Sequence, residues 1–253
     1  MLVDTHCHLD FPEFDQDRDD VILRAKEKGI TSLINIGSSL NGSRKSVELA
    51  ARYEPVYATV GIHPHDADAA GEDIVSLIRE LAAKAKVVAI GEIGLDYYKN
   101  YSRSQNQYTL FSGLASLAKE LDLPMVIHNR QAPEDTMAVL KPLLPHKIVM
   151  HCFAGDEAFL KHILDLGFFV SFTCNITYKK ADALRALVKA APLERMFLET
   201  DAPFLSPEGR RGRRNEPMYI EALAGEVARI KGISKEEVAR ATTENAVSFF
   251  NLQ

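Results

Sequence analysis

The sequence predicts an α/β protein folded as a single-domain (β/α)8 TIM barrel, on three observations. Eight short apolar runs recur about every 28 residues, helix-like segments fill the intervals, and no Pro/Gly/Ser-rich linker interrupts the alternation. A chain of 253 residues suits this class, because α/β barrels use about 250 residues as one unit.

Taken in order, the expected strands are 2–4, 32–36, 56–60, 87–93, 125–127, 148–150, 168–172 and 196–198. Several are continuous or β-branched, as parallel strands covered on both faces require. The expected helix over 18–28 carries Val21, Ile22 and Ala25 at helical spacing and closes at Gly29, and 105–121 repeats the pattern before Pro124. After the eighth strand, 217–231 and 234–250 read as two further helices. The second opens on a capping box, Ser234 with Glu237, flanked by Ile233 and Val238 as a hydrophobic staple. Closing eight such strands removes both sheet edges and gives every crossover one hand. An open doubly wound sheet would bring a glycine-rich phosphate loop after its first strand, where this chain has Asp4-Thr5-His6-Cys7-His8-Leu9-Asp10. The expected organisation is one domain over 1–253.

Composition narrows the function. With 46% hydrophobic and 26% charged residues the chain is neither disordered nor fibrous. Thirty Lys and Arg against 35 Asp and Glu leave a net charge of −5, which excludes a generally basic coat for nucleic acid. The three cysteines, Cys7, Cys152 and Cys174, form no C-x-x-C pair, so neither a disulfide framework nor a zinc ribbon is indicated. The first residues lack the basic and apolar regions of a signal peptide, and no apolar run reaches the roughly 18 residues of a membrane span. The expectation is a cytoplasmic protein with no membrane contact.

Barrel chemistry sits at the carboxyl ends of the strands. There the sequence places His6 and His8 after the first run, Glu92 late in the fourth, His128 after the fifth, His151 after the sixth and Asp201 after the eighth. Two histidines two apart on extended backbone face one side, as chelation requires. A single strand-end histidine is ordinarily a hydrogen-bonded rim residue. Four of them with two carboxylates would accumulate buried polar groups at a cost, unless cations satisfy them. Six ligands exceed one tetrahedral site and a carboxylate can bridge, so two divalent ions are expected. His6, His8, Glu92 and Asp201 would hold one ion, and Glu92, His128 and His151 the other. Imidazole ligation favours zinc or manganese, while water-filled positions let magnesium compete. Such a centre performs hydrolysis. Asp201 is the expected proton acceptor, because Glu92 is tied to both ions.

Six motifs, in order along nearly the whole chain, resemble one family: Asp4-Thr5-His6-Cys7-His8-Leu9-Asp10, Gly61-Ile62-His63-Pro64-His65, Ile90-Gly91-Glu92-Ile93-Gly94-Leu95-Asp96-Tyr97-Tyr98, Ile127-His128-Asn129-Arg130, His151-Cys152-Phe153-Ala154-Gly155 and Glu199-Thr200-Asp201-Ala202-Pro203. The chain is similar to the TatD family of metal-dependent deoxyribonucleases, within the amidohydrolase-like barrels. The resemblance implies divalent-metal-dependent hydrolysis of DNA phosphodiesters, as an exonuclease, with metal ligands on His6, His8, Glu92, His128, His151 and Asp201. The chain departs from the family pattern at Ala154, where Ser is commoner, and at Gln131, where an acidic residue is commoner.

A phosphodiester substrate needs cations for phosphates and planar faces for bases. The segment Arg210-Arg211-Gly212-Arg213-Arg214 puts four positive charges into five residues of an acidic chain. It resembles the family's Arg-Gly-basic-Arg-Asn segment, although a basic run is as often a solvated loop. Arg130 is expected to pair with a phosphate, and His63 and His65 to contact substrate at the rim. Glu199 shares a face with Asp201 and is expected to orient a ligand from behind. Tyr97, Tyr98 and Phe153 could stack on bases, though packing is the commoner role of such residues. Cys7 and Cys152 read as structural. The expected partner is DNA at single-stranded or frayed ends. One alternative is an ester or amide hydrolase acting on aminoacyl-tRNA, a lactone or a cyclic amide. Another is a non-catalytic binding protein on a degenerate barrel, which the intact ligand set disfavours.

Overall fold

The computed structural model describes all residues, 1–253. Its strands are β1 (Leu2–Cys7), β2 (Ile30–Ile36), β3 (Val56–Val60), β4 (Val87–Asp96), β5 (Met125–Arg130), β6 (Ile148–Met150), β7 (Phe169–Phe172) and β8 (Met196–Leu198). Its helices are α1 (Arg18–Glu27), α2 (Leu40–Arg52), α3 (Ile74–Ala82), α4 (Ser104–Leu121), α5 (Pro133–Leu140), α6 (Glu157–Asp165), α7 (Asp182–Ala190), α8 (Ile220–Lys231) and α9 (Lys235–Phe250). The strands form one sheet in the order β1 to β8, with a helix in every crossover. That is the (β/α)8 topology. No helix is long and apolar enough to cross a membrane.

Two compact units make up the chain: Met1–Asn35 with Cys152–Gln253, and Ile36–His151. In the first, β1 pairs in parallel with β2, and β7 with β8. Cys7 bridges Ala202, Asp201 N donates to the His6 carbonyl at 2.8 Å, and His8 N donates to the Ala202 carbonyl at 2.7 Å. The two segments that carry His6, His8 and Asp201 are thereby stitched together by backbone. Beneath them, Phe197, Phe249 and Phe250 are buried and pack ring on ring with centroids 4.7–5.6 Å apart. Each such side chain stabilises by about 1.5–3 kcal/mol on burial. The expected cap of the last helix is present: Ser234 Oγ accepts from Glu237 N at 3.1 Å. The helix expected from 217 begins instead as a 3-10 turn, Pro217–Tyr219, before α8.

The second unit contains β3 to β6, paired in parallel in sequence order. Here β4 and β5 run three residues beyond their apolar stretches, through Gly94↔His128, Leu95↔Asn129 and Asp96↔Arg130. Side chains turn polar at the site, but the backbone ladder does not depend on side-chain polarity and continues. Gly94 permits this, since a Cβ there would overlap the His128 carbonyl oxygen, and its φ of +146° lies where other residues are strained. In the first unit β1 likewise extends to Cys7 rather than ending at 4. His6, Glu92 and His128 therefore sit within strands, on the most rigid backbone available.

Candidate active site

In the first unit, Asp4 and His6 alternate along β1 and His8 follows one residue past its end, all three buried. Asp4 accepts from Thr200 Oγ1 at 2.5 Å, Thr200 N at 2.9 Å and His6 N at 3.3 Å. Burial pushes its carboxyl up to about 7 despite these bonds. His6 Nε2 and His8 Nε2 face each other at 3.2 Å, and Asp201 Oδ1 lies 3.7 and 3.5 Å from them. Glu199 Oε2 stands 4.0 Å behind His6 Nδ1, while its Oε1 accepts from Cys152 N at 2.7 Å. Ligand atoms around one tetrahedral cation at about 2.0–2.2 Å are themselves roughly 3.4 Å apart, so the nitrogen, nitrogen and oxygen spacing fits a divalent ion.

In the second unit, one oxygen is the focus. Glu92 Oε1 lies 2.9 Å from His128 Nδ1, 2.9 Å from His151 Nε2 and 3.6 Å from His63 Nε2. Burial pushes the Glu92 carboxyl up, but electrostatic attraction to the His151 and His63 rings, with hydrogen bonds from His128 and His151, outweighs it and holds the group well below the ordinary range. Burial also takes His63 down to about 3, so it presents a neutral imidazole at neutral pH. His63, Glu92 and His128 offer ligand atoms within 4.8 Å of one another, a set able to hold a metal ion. The sequence had placed His63 on the substrate side.

Asp96 is a participant the sequence reading left without a role. Its Oδ2 lies 3.2 Å from His128 Nε2 and 2.9 Å from His65 Nε2, while its Oδ1 accepts from Tyr98 N and Lys99 N at 3.0 and 2.9 Å. For His128, burial works against protonation, and bonds to Asp96 and Glu92 prevail and raise its pKa. A signal was available: Glu92 and Asp96 are four apart on one strand and so share a face. Phe11 and Phe204 were also missed. His8 stacks on Phe11 at 4.7 Å, and Phe204, exposed, meets both rings edge-on at 6.2 and 5.9 Å.

The arginines divide. Arg210 and Arg211 lie over the rings of Tyr219 and Tyr178 at 4.7 and 4.5 Å, and these two and Arg213 are exposed. Arg214 is engaged with carboxylates of the protein. Its terminal nitrogens pair with both oxygens of Asp17 at 2.7 Å and with Glu216 at 3.1 Å, tying the loop to the segment before α1. Arg130 is exposed, with its guanidinium 4.0 Å over Tyr98. Tyr97 instead donates to Asp135 at 2.7 Å, and Phe153 is buried against Phe159, so both are packing residues. Ala154 and Gln131 are exposed, and Gln131 has φ +55°.

Comparison with known proteins agrees along the full chain. The family model described as TatD related DNase matches residues 3–251. The chain is 39% identical over 254 residues to the metal-dependent hydrolase YabD of Bacillus subtilis, covering 100% of both. It is 38% identical over 261 residues to the 3'-5' ssDNA/RNA exonuclease TatD of Pantoea ananatis, covering 99% of this chain and 100% of that one. Among solved structures, the TatD homologue YJJV of Escherichia coli superposes with a TM-score of 0.94 at 30% identity, over 100% of this chain and 98% of that one.

Proposed function

The chain belongs to the TatD-related DNase family of metal-dependent hydrolases, and from that membership and the site's chemistry we propose that it is an exonuclease hydrolysing phosphodiesters at the ends of DNA strands. The observation that carries the proposal is the single buried Glu92 oxygen facing three imidazoles. A buried carboxylate oxygen surrounded by three imidazoles is a poor structural element and a good ligand set.

In this reading residues 1–253 act as one catalytic domain. His6, His8, Glu92 and Asp201 would hold one divalent cation, and Glu92, His128 and His151 would hold a second, zinc, manganese or magnesium. Cations bound there would polarise a phosphoryl oxygen and lower the pKa of water. Asp201 would accept the proton of the attacking water and return it to the leaving oxygen. Glu199 orients His6 from behind. Asp96 fixes the His128 ring through its far nitrogen, as carboxylates behind ligating histidines do. Arg130, Arg210, Arg211 and Arg213 supply cations for the strand's phosphates, and His65 contacts substrate beside them.

The test is a panel of single-stranded DNA, duplex DNA, RNA, aminoacyl-tRNA and a lactone, offered to chelator-treated protein with each metal restored in turn. The expected result is no turnover without metal and stepwise shortening of single-stranded DNA once it is restored. Turnover of the lactone or aminoacyl ester alone would replace the nuclease reading. Undiminished turnover after complete metal removal would overturn the mechanism.

A further inference from the structure

The second unit carries a surface that the hydrolytic centre does not account for. The loop between β4 and α4, residues 97–103, exposes two tyrosines, Tyr98 at 52% and Tyr101 at 65%. Arg130 lies 4.0 Å over the face of Tyr98, and Lys99 Nζ stands 5.8 and 5.9 Å from the centroids of Tyr98 and Tyr101. Neither cation is paired with a carboxylate, unlike Arg214 or Arg103 elsewhere. Tyr101 in turn meets His65 edge-on at 4.7 Å, and His65 reaches His128 through the shared Asp96 Oδ2.

The loop is held at both ends. Asp96 accepts from Tyr98 N and Lys99 N, and Ser102 Oγ donates to the His65 carbonyl at 2.6 Å while Gln107 Nε2 donates to the Ser102 carbonyl at 2.8 Å. A fixed loop that leaves two aromatic rings in water, interleaved with two uncompensated cations, has the two features of a nucleotide surface: planar faces for bases and positive charge for phosphates. In a duplex each base is already stacked on its neighbours, so only an unpaired strand can use such faces.

We propose that Tyr98 and Tyr101 form a stacking platform for successive bases of a single-stranded nucleic acid whose phosphates pair with Arg130 and Lys99, leading the strand end toward His128. The proposal rests on the nuclease reading for its occupant, but binding tests it separately from cleavage. The probe is a cleavage-resistant phosphorothioate oligodeoxynucleotide carrying 2-aminopurine at each terminal position in turn, added to the metal-loaded protein. Stacking on tyrosine quenches the fluorophore. The wild type should quench it at one or two positions, and adding protein to the same strand annealed to its complement should cause no further change in fluorescence. Tyr98→Ala and Tyr101→Ala should each remove quenching at one position and raise Kd about tenfold, at unchanged melting temperature. Tyr98→Phe and Tyr101→Phe should retain both. Unaltered quenching and Kd in the double alanine variant, or no binding by the wild type, overturns the platform. Quenching by a protein that cuts no all-phosphate strand with any metal keeps the platform and overturns the nuclease reading. Cleavage indifferent to both tyrosines does the reverse.

Discussion

At the residue scale the proposed mechanism depends on what faces Glu92 Oε1 and on the proton role assigned to Asp201. Glu92→Gln keeps the shape and one oxygen but removes the negative charge that three imidazoles surround. Loss of hydrolysis is therefore expected without loss of fold, because the ladder around β4 is made by backbone. Activity within a few-fold of wild type, measured with metal in excess, would remove Glu92 from the mechanism. Asp201→Asn should lower kcat about 10²- to 10⁴-fold, the usual worth of a positioned acid-base group, with Kd for a strand little changed. A matching loss in Kd and none in kcat would make Asp201 a binding residue instead. The sequence made these candidate positions stand out because metal chemistry uses few residue types, and strand alternation puts His6 and His8, or Glu92 and Asp96, on one side. It could not tell how Arg214 is used. Four arginines in five residues look alike in one dimension, and only the structure reveals that Asp17 and Glu216 have captured one of them.

At the scale of elements, polarity marked where strands begin better than where they end. The expected strands over 56–60, 148–150 and 196–198 match β3, β6 and β8, where apolar side chains and pairing stop together. At β1, β4 and β5 the side chains turn polar while pairing continues, and that continuation puts the candidate ligands on rigid backbone. Helix ends were clearer, since caps are local. Ser234→Ala removes the bond to Glu237 N and should lower unfolding stability by about 1 kcal/mol, read from urea melts. The loop after β8 is tied down differently. Arg214's hydrogen bonds, opposed by slight burial and helped by Arg24, hold the Asp17 carboxyl down at about 2 against an ordinary 3.8. The lowered folded value means the bridge stabilises fully above pH 4 and fades as pH falls toward 2. With Asp17 31% exposed, solvent screening leaves about 1 kcal/mol at neutral pH. Asp17→Asn should cost that amount at pH 7 and only a small fraction of it at pH 2. An equal cost at both would mean packing, not charge, holds the loop.

At the scale of the whole molecule, the proposed function would have an acidic chain bind a polyanion. A net charge of −5 repels nucleic acid at long range, so attraction has to come from a few cations free of internal carboxylates. Arg210, Arg211 and Arg213 are such cations, resting on tyrosine faces or solvent, whereas Arg214 spends its charge on Asp17 and Glu216. The two kinds of arginine should separate experimentally. Each phosphate neutralised on a single strand contributes about 0.7 to the slope of log K against log salt. Replacing Arg210, Arg211 and Arg213 together with Ala should flatten that slope by about 2 and leave thermal stability unchanged. Arg214→Ala should lower stability and leave the slope near its wild-type value. A triple variant that keeps the full slope would show the exposed arginines to be a solvated loop, and affinity would then have to arise at Arg130 and Lys99 alone.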